Sequence, residues 1–324
     1  GYWGSNHARV AAELLDDGIL DSVVLCDLDE DRVSELAETY DLPYTTDYSA
    51  LADHGVDAAT VATPSTTHRD IAVELLNDGL DLLVEKPLAT TSEAAWEMVE
   101  EANTNDCVLA VGHIFRYHPA LSDLKDRIER GELGRINHLI TNRFSFRVPR
   151  SEAGALYSLG VHDLDIYSYL LDEQPTRLYC QRQSSIRDSV DETATVMLTY
   201  EHATGVINES WQVPVDGKRR DLTVVGSKRT AHLDYLDDTA LDLYDAQIVD
   251  DDGTLRARNE GARRYETEPG EPLRLEVEAF VDACDTRTES RAPGRIGAET
   301  VELLEAAAQS SERGDAISLD DYSP

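Results

Sequence analysis

Lysine is nearly absent from this sequence. Of 324 residues only four are lysine, Lys86, Lys125, Lys218 and Lys228; Lys and Arg together number 29 against 64 Asp and Glu, a formal net charge of −35. Such a field repels nucleic acid and anionic membranes and excludes both as partners. A lysine kept in such a chain has to be weighed individually. Cysteine is scarce too: Cys26, Cys107, Cys180 and Cys284 lie far apart and form no C-x-x-C pair. Neither a zinc cage nor a disulfide scaffold follows from that spacing, and no metal site is expected. No apolar run reaches about 18 residues, so no membrane span is expected. No basic segment followed by an apolar one opens the chain, so no signal peptide is visible and a cytoplasmic location is expected.

What is there is well patterned. Low hydrophobicity with high charge can mean disorder, but here 41% of residues are hydrophobic and they recur at regular spacing, with acids on the polar faces. This reads as a solvated acidic surface of the kind halophiles use. At about 150 residues per domain the length implies roughly two domains.

Up to residue 112 strands and helices alternate. Residues 5–17, 29–40, 68–77 and 92–103 read as helices, with Gly79 at the C′ position of the third and Ser92 as N-cap of the fourth. Residues 21–26, 56–62, 80–84 and 107–111 read as apolar strands. That alternation means a parallel sheet with right-handed crossovers. Beyond residue 112 the pattern changes. A helix at 119–132 is followed by strands at 136–147, 177–186, 192–200, 204–213 and 219–226, a helix at 161–171, and closing helices at 271–286 and 297–312. The acidic stretch 250–253 reads as a hairpin loop. The expected architecture is α/β: a doubly wound parallel sheet over 1–112, its first strand missing from this chain, plus an α+β domain over 113–324 with a large, mostly antiparallel sheet.

Gly1-Tyr2-Trp3-Gly4 runs straight into a helix. A Rossmann phosphate-binding turn places G-x-G-x-x-G between strand and helix, the second Gly admitting the pyrophosphate and the third letting helix and strand pack. Gly1 and Gly4 fit the second and third places, with Tyr2 and Trp3 between them. The first glycine and the first strand would precede residue 1, so the natural gene is expected to extend about ten residues upstream. Asp27, directly after the strand 21–26, stands where a carboxylate would accept both ribose hydroxyls. It would repel a 2′-phosphate, which favours NAD over NADP, although Arg32 nearby leaves that choice open. The plainer reading of Asp27 is a surface residue in an acid-rich chain.

Thr63-Pro64 to His68, then Glu85-Lys86-Pro87, then Val111-Gly112-His113 resemble the Gfo/Idh/MocA family of oxidoreductases. The resemblance continues through Arg116-Tyr117-His118-Pro119, Gly131-Glu132-Leu133-Gly134, Ser158-Leu159-Gly160-Val161-His162-Asp163 and Glu209-Ser210-Trp211. The opening Tyr-Trp-Gly-x-Asn, Thr141-Asn142-Arg143 and the Ser-Leu-Gly-Val-His-Asp helix start are similar to the branch that oxidises C3 of UDP-N-acetylglucosamine or its uronic acid. Many family members carry Asp four residues before the catalytic His. Ser158 stands there instead, as in the nucleotide-sugar branch, and this puts a His–Asp proton relay in doubt. The resemblance implies a cofactor site of Gly1, Tyr2, Trp3, Gly4, Asp27, Thr63, Pro64, His68, Glu85 and Lys86, a cis Lys86–Pro87 bond, and a homodimer or homotetramer formed through the open sheet face.

Hydride transfer from a carbinol needs a base for the proton and a positive charge near the oxygen. Lys86 ends a strand at the carboxyl edge where doubly wound sheets bind ligands, and is the candidate for the charge; otherwise it is a surface lysine ending a strand. His162 can take a proton near neutral pH. Its place at a helix start after Gly160 would aim it into an inter-domain cleft, with Asp163 or Asp165 to orient it; otherwise it is a capping or core histidine. His113 and His118 read as structural. Arg143, Ser145 and Arg147 alternate on one strand face with Arg150 beyond, which suits a diphosphate or a uronate, or pairing with surface acids. Arg143, Arg147, Ser158 and His162 are thus the expected substrate contacts and Lys86 and His162 the catalytic pair. The activity that follows is oxidation of a sugar ring hydroxyl. The alternatives are an NAD-using glycosidase that oxidises, eliminates and reduces back, another sugar or inositol dehydrogenase, or a cofactor-binding sensor without turnover.

Overall fold

A computed structural model of the chain describes residues 1–150, 153–188, 190–237 and 239–320. The chain divides into two compact units, Gly1–Ile114 with Glu271–Val301, and Phe115–Gly270 with the chain from Glu302 onward.

The first unit carries α1 (Tyr2–Asp16), β1 (Leu25–Cys26), α2 (Glu30–Tyr40), β2 (Tyr44–Thr45), β3 (Ala58–Val61), α3 (His68–Asn77), β4 (Asp81–Glu85), α4 (Ser92–Thr104) and β5 (Leu109–Gly112). All pairings are parallel: β1 with β2, and β3–β4–β5 in that order. Every residue of β4 is buried, as a central parallel strand requires. The strand expected over 21–26 is reduced to its last two residues. A strand persists only where a neighbour takes its backbone groups, and β1 pairs with the two-residue β2 alone. Thr91, not Ser92, caps α4: its side chain accepts the Ala94 amide, while Ser92 is already helical. Gly79 has φ +83° and closes α3 as anticipated.

The second unit holds α5 (Pro119–Glu129), β6 (Ile136–Ser145), α6 (Val161–Leu171), β7 (Arg177–Gln183), β8 (Thr193–Thr199), β9 (Thr204–Ser210), β10 (Lys218–Gly226), β11 (Thr230–Asp234), β12 (Ala240–Asp251) and β13 (Thr254–Glu266). After them come α7 (Pro272–Thr286), α8 (Gly294–Arg313) and β14 (Ile317–Ser318). The nine-stranded sheet runs β13-β12-β11-β10-β6-β9-β8-β7-β14, antiparallel except for the parallel β6–β9 pair. Leu121, Leu124, Leu164, Tyr167 and Leu304 from helices meet Leu139, Val196, Ile207 and Leu222 from strands in one buried core. The loop expected at 250–253 is the β12–β13 turn, with Asp252 and Gly253 at positive φ. Strands β11, β12 and β13 were not expected: β13 is almost wholly exposed, so no apolar face marks it.

The expected boundary is redrawn at one place. Residues 271–301 belong with the first unit, because Leu273, Val277 and Phe280 of α7 bury their apolar faces against Val10 and Leu14 of α1 and Leu83 of β4. Arg9 pairs with Glu271 and Arg274 with Asp17 along the same seam, and Arg287 donates to Asp81 over 2.6 Å.

Candidate functional site

Three segments of the first unit meet at the carboxyl edge of the parallel strands. α1 starts at Tyr2 with Gly1 as N-cap, no side-chain cap and no acid in its first turn, and the first amides and positive dipole end of such a helix suit an anion. Tyr2 and Trp3 are exposed and stand edge to face, centroids 5.7 Å apart. A Cβ on Gly4 would meet nothing within 4 Å. Asp27 follows β1 with its carboxylate 3.9 Å from the Gly1 nitrogen and 3.1 Å from Arg32 Nη1. Carboxylate and open helix start are thus adjacent, which fits the ribose and pyrophosphate of a dinucleotide.

The strand ends beyond Asp27 are tied together from inside. His68 is buried. Its Nε2 lies 3.0 Å from the Thr63 carbonyl and its Nδ1 3.1 Å from that of Pro87, joining the Thr63-Pro64 end of β3 to the Lys86-Pro87 end of β4. Glu85 is buried as well: one oxygen lies 2.9 Å from His7 Nε2 of α1, the other accepts the Lys86 amide at 3.2 Å. Gly112 of β5 leaves room for that carboxyl, since a Cβ there would stand 3.2 Å from Glu85. The Lys86–Pro87 bond is cis. Glu85 and His68 therefore act as struts that set the course of the chain through Lys86. His7 was not anticipated, because its partner lies 78 residues away.

In the second unit α6 is entered through one turn of π-helix, Leu156–Gly160, a distortion that often accompanies functional sites. Ser158 is buried in that turn, with its hydroxyl 3.3 Å from the Ala153 carbonyl. His162 follows, its ring edge-on to Phe115 at 5.0 Å. Asp163 and Asp165 are both buried and both committed to arginines. Asp165 takes Arg116, and Asp163 takes Arg143 through Nε and, at 3.0 Å, Nη2. Arg143 is sandwiched between Phe115 and Tyr235, 4.6 Å from each centroid. His118 caps α5 by accepting the Leu121 amide, and His113 is buried at the end of β5.

Glu209 completes this cluster. Neither of its oxygens receives a hydrogen bond from an ordinary donor; its partner is the Asp163 carboxylate. Two acceptors can face each other only if one carries a proton. Burial pushes Glu209 far above the usual carboxylate range, and the charge of Asp163 adds to it. Burial also raises Asp163, against the pull of Arg143. Glu209 is accordingly the member of the pair that burial holds toward its neutral form. A Cβ on Gly160 would stand 3.1 Å from Glu209, so this buried acid lies directly beneath the turn that presents His162.

The remaining arginines sit apart from the acids. Arg147 donates its amide to the Trp211 carbonyl at 3.1 Å and lays its guanidinium 5.8 Å from the Trp211 ring. Arg143, Arg147 and Arg150 line one pocket with Lys218 and Arg220 of β10. Those last two escaped notice because the pairing of β10 with β6 is not written in local sequence. Among the described residues no helix is long and apolar enough to cross a membrane. All four cysteines are thiols, and burial pushes Cys180 up to about 12, which makes it a poor nucleophile.

Comparison with known proteins agrees with this geometry. The Oxidoreductase family with NAD-binding Rossmann fold matches residues 1–113, and the GFO/IDH/MocA C-terminal domain matches residues 121–232. UDP-N-acetylglucosamine 3-dehydrogenase of Acidithiobacillus ferrooxidans is 28% identical over 229 residues, 70% of each chain. Its solved structure superimposes with a TM-score of 0.82 over 97% of this chain and 95% of that one, at 24% identity. Myo-inositol 2-dehydrogenase of Thermotoga maritima is 27% identical over 76% of this chain and 77% of its own. A levoglucosan dehydrogenase in complex with NADH and levoglucosan reaches a TM-score of 0.87 over 99% of this chain and 97% of that one, at 19% identity. The chain is an oxidoreductase of the Gfo/Idh/MocA family, built on its NAD-binding Rossmann domain and its C-terminal domain.

Proposed function

We propose that the protein oxidises a ring hydroxyl of a sugar, C3 of a UDP-linked amino sugar, with NAD as acceptor. The observation that carries this reading is the carboxyl edge of the first unit, where His7, Glu85 and His68 tie α1, Thr63 and the chain at Lys86 together and Asp27 stands beside the start of α1. The α1 amides would hold the pyrophosphate and Asp27 the adenosine ribose, which favours NAD over NADP. The bound cofactor supplies a carbon that accepts hydride. Lys86 sets its ammonium against the substrate oxygen and stabilises the charge that grows there. His162 takes the hydroxyl proton, on a helix start fixed by the buried Arg143–Asp163–Glu209 cluster. The bond broken is C–H and the proton leaves from O–H, so the product is the ketone.

The nucleotide-sugar assignment is supported by the likeness to the UDP-N-acetylglucosamine enzyme and by the arginines around Trp211. The outer sheet face, where residues such as Met197 are exposed, would join chains as homodimers or homotetramers. The test is the absorbance of reduced nicotinamide on mixing protein and NAD with a panel of UDP-sugars, free sugars and inositols. Turnover of a UDP-amino sugar above the others is expected. No turnover of any of them, with NAD demonstrably bound, overturns the reading.

A further inference from the structure

Hydride transfer does not require what β6 and β10 do together. Their register sets Arg220 opposite Arg143 and Lys218 opposite Ser145. Like charges directly opposite each other destabilise a strand pair. Arg147 and Arg150 add two more cations, and the five line a pocket of about 30 Å³ walled by Trp211. The chain has 64 acidic residues to 29 basic ones, yet no acid lines this pocket. Among the described residues the one carboxylate paired with any of the five is Asp163, through Arg143. That pairing uses Nε and Nη2; Nη1 of Arg143 is buried without a hydrogen-bond partner. Arg220 is disfavoured in its charged form first by burial and then by Arg143, with Arg147 and Arg150 adding to it and Asp163 opposing. Among the described residues this cluster is under-neutralised.

We propose that the pocket is an anion subsite that takes one small oxyanion, a carboxylate or a phosphoryl group, carried by the substrate. The inference rests on the dehydrogenase reading and deepens it by assigning one anionic group of the substrate to these residues. A water needs about 10–15 Å³ of such space, so the pocket has room for the oxygens of one such group. Arg143 Nη1 supplies a desolvated donor, Arg220 a half-buried one, and Arg147, Arg150 and Lys218 a cationic rim. Guanidinium forks suit both carboxylate and phosphoryl oxygens.

The experiment is calorimetric titration of the full chain, saturated with NAD so that the start of α1 is filled, with inorganic phosphate and with acetate at low ionic strength. Arg220→Gln and the exposed Lys218→Gln are run beside it, each checked by thermal melting. Binding of at least one anion is expected, weakened about tenfold or more by Arg220→Gln and less by Lys218→Gln. Preference for phosphate assigns a phosphoryl group, and preference for acetate a carboxylate. Heats for both anions that are equal in wild type and in both variants, or absent from all three, overturn the proposal. Turnover of a neutral sugar without anion binding would sink the subsite and leave the dehydrogenase. Anion binding lost in the variants, with no turnover of any sugar, would do the reverse.

Discussion

Replacing Glu209 by Gln should stabilise the protein at neutral pH, although it removes a carboxyl group that is buried in a core. The reason lies in proton linkage. Glu209 is buried against Asp163 and its folded-state pKa is raised well above its ordinary 4.5. Below about pH 4.5 the folded and unfolded chains both carry the proton, and the contribution of Glu209 is fully present. As pH rises, the unfolded chain releases that proton while the folded chain retains it. Stability then falls by about 1.4 kcal/mol for each pH unit, until the folded-state value is passed. Glutamine copies the protonated acid in shape and still donates to Asp163, but is neutral in both states. The difference in unfolding free energy between Glu209→Gln and wild type should therefore be near zero at pH 4.5 and grow by about 1.4 kcal/mol per pH unit above it. All groups outside the Asp163–Glu209 pair are shared by the two proteins, so the difference curve reports the titration of that pair. Urea unfolding at constant salt, from pH 4.5 to 7.5, measures it. The C=O stretch of a protonated carboxyl, present in wild type and lost in the variant, gives a second readout. A difference curve that is flat with pH, or a variant uniformly less stable, would refute the reasoning, because it would mean that Glu209 is ionised and paired in the folded state.

Other perturbations separate the remaining parts of the site. Lys86→Ala should lower kcat by about 10²- to 10³-fold, the scale of one lost donor to a developing oxyanion, while His162→Ala should cost about 10²- to 10⁴-fold as a lost general base; steady-state rates decide both. Asp27→Asn removes a charged acceptor worth about 1.5–3 kcal/mol and releases Arg32. The ratio of kcat/KM for NAD to that for NADP should fall about tenfold or more, and an unchanged ratio would sever Asp27 from the ribose. Asp163→Asn leaves Arg143 buried without its counter-charge and should destabilise the second unit by about 3–5 kcal/mol, seen as a lower urea midpoint.

The parts of this molecule legible in its sequence are those set by local order. Helix α6 occupies the expected residues 161–171 and α3 the expected 68–77, because their apolar spacing repeats within a dozen residues. Lys86 stood out because a chain depleted of lysine kept one beside Glu85 and Pro87. What stayed hidden depends on residues brought together from afar. The strut that fixes Glu85 comes from His7, 78 positions earlier. The partner of Arg143 lies 20 positions later, so an arginine read from its alternating neighbours as a substrate contact is found holding Asp163 with two of its nitrogens. Arg220 became meaningful only when β10 was laid against β6.

Charge magnified that gap. In a sequence with acids everywhere, local reading assigns every arginine a nearby carboxylate and every carboxylate a place in solvent. The fold violates both expectations at one location: it buries Asp163 and Glu209 under the start of α6 and leaves Arg147, Arg150, Lys218 and Arg220 gathered beside them on the other side of Arg143. Desolvation makes such an arrangement expensive in both directions. Burial has one of the two acids take up a proton, and the cations gather where no acid of the lining can answer them. Arg143 belongs to both groups, with two nitrogens toward Asp163 and a third without a partner. An anion bound at that third nitrogen would therefore act on the same guanidinium that holds Asp163, one residue from His162, and so couple recognition of a charged substrate to the position of the proposed base.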